Sequence, residues 1–168
     1  MEPQLFYFKD DGIIPNSKYP VLYYSNVLSQ SGEQAANWLE KKFAANQWTS
    51  SWRWGIYPFH HYHSNTHEVL GVFSGSALLQ LGGERGMKLK VQTGDVLVIP
   101  AGVGHKCLSH SPQFAVTGAY PDGLEPDLKR GEEGERPGAD ENILIVPDPS
   151  ADPLTGKESG VIKFWKKV

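Results

Sequence analysis

Between Trp48 and Pro121 the chain reads as short apolar runs cut at close intervals by glycines, and this punctuation restricts the fold more than any other feature. The runs are Val69 to Phe73, Ala77 to Leu81, Leu89 to Val91, Val96 to Ile99 and Phe114 to Tyr120, with Gly71, Gly75, Gly82, Gly83, Gly94 and Gly102 among them. Apolar stretches this short, bounded by turn residues, are strands rather than helices. Trp52, Trp54 and Ile56 alternate just upstream, which places them on one face of an extended segment. The pattern predicts an all-β barrel or sandwich. Composition agrees: 18 glycines and 12 prolines in 168 residues exceed the usual shares of about 7% and 5%.

The flanks are less regular. Leu5 to Phe8 and Val21 to Tyr24 read as strands, the second opened by Pro20. Ser31-Gly32-Glu33-Gln34 reads as a helix start, with Ser31 as N-cap and Gln34 reaching back in a capping box. Ala36, Leu39 and Phe43 then follow at helical spacing, which predicts a helix over 32–45. Residues 122–140 are rich in charge, Gly and Pro, and read as a long surface loop, either a lid or a solvated connector. Asn142 to Val146 and Val161 to Trp165 read as closing strands, the latter a candidate for a dimer seam. The whole, 1–168, is read as one domain: N-terminal strands and helix to residue 50, a motif-bearing barrel over 51–121, then the loop and C-terminal strands over 122–168.

Several classes drop out. The 16 Lys and Arg against 19 Asp and Glu give a net charge of −3, and no basic run is present, so a nucleic-acid partner is not expected. No apolar run approaches the ~18 residues of a membrane span, and no membrane association is expected. Met1-Glu2-Pro3-Gln4 shows neither a basic nor an apolar leader region, so the expected location is cytoplasmic. Cys107 is the single cysteine, which rules out an intrachain disulfide and a four-thiolate zinc site.

All six histidines fall between residues 60 and 110, four of them within His60 to His67. Imidazole is the commonest transition-metal ligand. His61 and His63 are two apart, so in extended backbone both point to one face. His105 follows a separate strand and the turn Pro100-Ala101-Gly102, and supplies a third donor. The fourth is open on the residues alone. An unbroken strand would align His67 with His61, whereas a turn at Ser64-Asn65-Thr66 would reset the parity in favour of Glu68. Tyr57 and Phe59 share parity with His61, and Cys107 with His105. Together with His67 they are candidates for a cavity wall. His60 and His110 read as structural or surface residues. Trp48, Trp52 and Trp54 read as packing or as a stacking wall for a ligand.

Gly55, His61-Tyr62-His63, Glu68 and Gly75 stand at the spacing G-x5-H-x-H-x4-E-x6-G. Gly94, Pro100, Gly102 and His105 stand at G-x5-P-x-G-x2-H. The two motifs resemble the paired motifs of the cupins. The stretch from His60 to Val72, with Arg130-Gly131-Glu132 and Glu135-Arg136-Pro137, is similar to the YjlB-like group within them. One position departs, because the Asn that closes the second cupin motif is Ser109 here. The resemblance implies a double-stranded β-helix, or jelly-roll barrel, with one or two short peripheral helices. It also implies a divalent metal on His61, His63, Glu68 and His105, which resolves the parity question toward Glu68, and a homodimer.

Three imidazoles and a carboxylate suit Fe, Mn, Ni, Cu or Zn without choosing among them. Four protein ligands in an octahedral field leave two positions, and an open position marks a catalytic rather than a structural site. The expected function is therefore a metal-dependent enzyme of dioxygenase or isomerase type acting on a small polar metabolite. The alternative is a non-catalytic cupin that binds or senses a small molecule.

Overall fold

A computed structural model describes residues 1–166. Nine strands form in the order β1 Gln4–Phe8, β2 Ser17–Tyr24, β3 Trp48–Trp54, β4 Glu68–Ser74, β5 Ser76–Leu81, β6 Met87–Gln92, β7 Val96–Ile99, β8 His105–His110 and β9 Ala115–Pro121. Three helices accompany them: α1 Gly32–Ala45, α2 Gly138–Ile145 and α3 Val161–Phe164. One sheet has the order β1-β2-β7-β4-β9-β3 and the other β6-β5-β8. Every strand pairing is antiparallel. The fold is a jelly roll.

Alternation along the strands separates two cores. Leu70 and Val72 of β4, Leu97 and Ile99 of β7, and Val116 of β9 point between the sheets, where they meet Leu79, Leu81, Val91 and Cys107. Val69, Val96, Val98 and Ala119 point to the outer face of the larger sheet, under Leu39 and Phe43 of α1 and under Leu154, Val161 and Trp165. Full burial of a Leu or Phe side chain is worth about 1.5–3 kcal/mol, so α1 is held mainly by that stripe. Gly71 makes the approach close: a Cβ there would lie 2.9 Å from Leu39 Cδ1. It serves helix packing in mid-strand and not a turn. Arg53 fastens the helix from the side, with bonds to Glu40, Glu33 and Asn37.

Strand β3 carries a register shift between Thr49 and Trp52, and Ser50 there has φ +59°. The extra residue is a β-bulge, which breaks alternation. As a result Trp48 packs in the outer core while Trp52, four residues on, packs against the inner one. Trp48 is thus a core residue, its Nε1 donating to the Ala151 carbonyl.

Four sequence expectations are corrected. The capping box at Ser31 does not form: the chain enters α1 through Gly32 at φ +65°, and Ser31 makes no side-chain cap bond. Residues 142–146 are not a strand, because Asn142 to Ile145 complete α2. Asp140 and Glu141 occupy the first turn of that helix, where acidic groups favour the positive helix end, and Arg136 pairs with Asp140 across one turn. Residues 161–165 are likewise not a strand. The backbone N–H of Val161 is held at 3.0 Å by the buried carboxylate of Asp152, which starts α3. Trp165 then bonds the Pro20 carbonyl through Nε1 and stacks on Tyr19, so this segment covers its own sheet. Finally, the peripheral helices number three among the described residues, not one or two.

No helix among the described residues is long and apolar enough to cross a membrane.

Candidate metal centre

The segment from Gly55 to His67 belongs to no strand, yet it is fastened at both sides. His61 forms a single antiparallel bridge with His105, and Tyr62 forms another with Lys129. In the first, His61 N–H donates to the His105 carbonyl and His105 N–H to that of His61. Pro100 ends β7, and Gly102, at φ +95°, turns the chain so that β8 begins with His105 facing inward. The Gly102 N–H donates to the His63 carbonyl. The two motif segments are therefore laced together by their own backbones.

The bend at Ser64-Asn65 resets the parity before β4. Glu68 then shares a face with Leu70 and Val72 and points between the sheets. His67 points the other way: its ring lies 4.7 Å from that of Trp165, and its Nδ1 accepts the Ala101 N–H at 2.9 Å. The ligand atoms of His61, His63 and His105 all lie within 4.8 Å of one another. Glu68 Oε1 stands 3.2 Å from His105 Nε2 and 3.5 Å from His63 Nε2. Donors on one ion at ~2.1 Å are about 3.0–3.4 Å apart for bond angles near 90–110°, so these separations suit a shared cation.

Hydrogen bonds fix which ring nitrogens face inward. Nδ1 of His61 lies 3.0 Å from the Phe59 carbonyl, and Nδ1 of His105 lies 3.0 Å from the Val103 carbonyl. Nδ1 of His63 meets the carbonyl of Asp127. A carbonyl only accepts, so each Nδ1 carries a proton and each ring is left with Nε2 as the nitrogen free to ligate. The Nε2 of His105 is buried and makes no hydrogen bond, although the Glu68 oxygen is near. Two acceptors in that relation repel unless a positive charge lies between them. The residues therefore fit a bound cation.

The electrostatics point the same way. Burial, with the neighbouring His105, pushes the His61 imidazole down to about 2, so it stays neutral. At His63 burial acts downward too, but the Glu68 carboxylate outweighs it and raises the group. At Glu68 burial acts upward, yet the adjacent imidazoles of His63 and His105 hold the carboxyl below its usual range. Tyr120 is raised by burial and by the nearby Glu68 charge.

A cavity of about 280 Å³ opens beside the cluster. Its walls are Trp52, Trp54, Gly55, Ile56, Tyr57, Leu70, Tyr120, Pro126, Asp127 and Leu128, together with the three histidines and Glu68. Of the residues expected on that wall, Tyr57 is there. Phe59 lies behind it, stacked on Tyr57 at 4.8 Å. Cys107 is in the barrel core, its thiol pushed up by burial, and His67 is on the outer side. His60 bonds Glu84.

The sequence reading missed Tyr120, Asp127, Pro126 and Leu128. Parity in β9 could have found Tyr120, which follows Val116 and Gly118 on the inward face. Nothing local marks Asp127. It sits in the loop read as a lid or a connector, which is in fact a strap laid over the site. Asn65 receives the Asp127 N–H and donates to the Glu125 carbonyl, while the Asp127 carboxylate takes both the N–H and the hydroxyl of Ser64. Lys129 pairs with Tyr62, and Glu135 receives the Tyr62 hydroxyl and the N–H groups of Arg130 and Gly131.

The family described as Cupin matches residues 55–122 of this chain. The uncharacterized protein YjlB of Bacillus subtilis (strain 168) is 44% identical over 167 residues, 99% of this chain and 98% of its own length. Among solved structures, procruciferin, an 11S globulin from Brassica napus, is 23% identical with a TM-score of 0.39. The match covers 48% of this chain but only 21% of the globulin. Acireductone dioxygenase from Bacillus anthracis, with a cadmium ion in its active centre, is 16% identical with a TM-score of 0.44, covering 64% of this chain and 82% of that one.

Proposed function

Because the chain belongs to the cupin superfamily, in the group of YjlB, we propose that it is a metal-dependent enzyme of dioxygenase or isomerase type acting on a small metabolite. His61, His63, His105 and Glu68 would hold one divalent first-row ion, which when bound supplies a Lewis acid and, for iron, manganese, nickel or copper, a redox centre. The observation that carries this reading is the orientation of the three rings: each gives its Nδ1–H to a backbone carbonyl and leaves Nε2 toward Glu68. Around that point the chain's own residues do three things. The barrel core and Trp52 keep bulk water from one side, the strap walls the other, and Tyr120 holds a proton beside the Glu68 carboxylate.

Elemental analysis of the purified chain, repeated for Glu68→Gln and His105→Ala, tests it. Near-stoichiometric metal in the parent and a strong loss in both variants is expected; a parent that takes up no transition metal after incubation would end the proposal.

A non-catalytic binding role is the second reading, and one feature favours it. Apart from the four proposed ligands, the ionisable groups on the wall are Tyr57, Tyr120 and Asp127, and the Asp127 carboxylate is already taken by Ser64. Proton-transfer equipment is thus sparse. Ligand binding by the loaded protein with no chemical change in the ligand would select this reading over the first.

A further inference from the structure

The cavity wall is unusual for a site expected to take a polar metabolite. No lysine, arginine, serine, threonine, asparagine or glutamine lines it among the described residues. Arg130, on the strap, stands over the Phe59 ring at 3.8 Å instead. The Tyr120 hydroxyl accepts the Trp52 Nε1–H at 2.7 Å. A sugar or a phosphate ester buried here would lose most of its hydrogen bonds to water without replacement, at a cost of roughly 5- to 100-fold in affinity for each group left unpaired.

Aromatic surface takes the place of polar groups. The Trp52 ring lies flat on Gly118, where an added Cβ would come within 2.4 Å of it, and its bond to Tyr120 fixes the plane. Trp54 meets Tyr57 edge to face at 5.7 Å. This wall is formed in advance, so a planar guest would not have to order it. The volume, about 280 Å³, compares with the ~150 Å³ of an apolar cavity that accepts benzene. It holds one ring with its substituents, and a nucleotide or a disaccharide would extend beyond the wall into solvent. Charge sets a further limit, since a divalent ion with the Glu68 carboxylate leaves one net positive charge to neutralise.

We propose that the site takes a small planar molecule with an apolar body, one oxygen-bearing end directed at the metal, and at most one negative charge. This rests on the metal reading above and narrows its substrate class from polar metabolites in general to aromatic or enolic compounds of single-ring size.

The test uses the full chain loaded with its metal, the metal content measured first. 4-Nitrocatechol is titrated in, followed by its absorbance and by the total tryptophan emission, to which Trp52 and Trp54 contribute, with glucose 6-phosphate and glycerol in parallel. The expected result is saturable binding of 4-nitrocatechol, roughly tenfold or more tighter than either comparison compound. Trp54→Ala, at an exposed position, should weaken it by about 2- to 10-fold, the scale of one aromatic pair, with metal content unchanged. Loaded protein that ignores 4-nitrocatechol, or that prefers glucose 6-phosphate, overturns the substrate class and leaves the metal reading standing. A chain that binds no metal overturns both.

Discussion

Asp127 offers the sharpest test of how the centre is built, because its side chain ties the strap to Ser64, beside His63, while its carbonyl meets the His63 ring. Its carboxylate accepts the Ser64 N–H at 2.7 Å and the Ser64 hydroxyl, and its carbonyl oxygen receives Nδ1–H of His63. Asp127→Ala removes the first two bonds and frees the carbonyl to drift. A hydrogen bond to a charged acceptor is worth about 1.5–3 kcal/mol. Asp127 is half-buried, so the low end applies, and the two together give about 2–3 kcal/mol. For a chain of this size that corresponds to roughly 4–12 °C in Tm.

Metal affinity should respond separately. Loss of the group that orients a ligating imidazole typically costs about 10- to 100-fold. Zinc affinity, measured by chelator competition well below the Tm, is expected to fall in that range for Asp127→Ala. Asn142→Ala serves as the control, since Asn142 donates to the same Ser64 hydroxyl at 3.1 Å without touching His63. It should lower Tm slightly and leave affinity alone. If Asp127→Ala lowers Tm by several degrees while affinity stays within about twofold, the strap is mere cover and does not orient His63.

Other consequences follow from the same geometry. Glu135 is held below the usual carboxylate range: burial opposes this, but the N–H groups of Arg130 and Gly131 and the Tyr62 hydroxyl prevail. A depressed folded value means its contribution is present above the unfolded pKa and is lost as pH falls through the folded one. Glu135→Gln should therefore be less stable than the parent at pH 7, with the two melting curves converging as the pH falls below the folded value. Cys107→Ala, in the barrel core, should cost about 1 kcal/mol in denaturant unfolding and leave metal stoichiometry unchanged; a lost metal would put the thiol back at the site. Gly71→Val forces a branched side chain against Leu39 and Phe43 and should cost about 1–3 kcal/mol or more, read by thermal melting. A homodimer is expected in light scattering at micromolar concentration, and a monomer there would refute it.

The sequence makes the barrel legible because alternation and turn chemistry act locally. Each of the runs from Val69 to Tyr120 carries its own strand signal, and Gly75 and Gly94 mark turns whatever lies far away. The histidines are legible for a related reason, since two motifs fix which residues meet, and backbone bonding between His61 and His105 then brings them together. The misread elements share an opposite property. Residues 142–146 and 161–165 are apolar runs too short to show a period, and what decides them lies elsewhere in the chain: Arg136 at the start of α2, the Asp152 carboxylate at the start of α3. Trp48 and Trp52 would share a face but for the bulge at Ser50, whose side chain gives no sign of φ +59°.

The same distinction explains why the strap could not be read as part of the site. Its composition is that of a solvated loop, and half of its charged residues are exposed. Its role comes from main-chain groups, which have no sequence signature: the Asp127 carbonyl on His63, and Lys129 pairing with Tyr62. An imidazole needs a carbonyl at Nδ1 to present Nε2, and His61 and His105 each find theirs two residues upstream, at Phe59 and Val103. At His63 the carbonyl two residues upstream, that of His61, takes the His105 N–H instead. It borrows a carbonyl from 64 residues away, and the hydrogen bonds of Ser64, Asn65, Tyr62 and Glu135 serve to bring that carbonyl within reach. The ring whose orientation depends on the strap is thus the one whose upstream carbonyl is engaged in the bridge between the two motif segments.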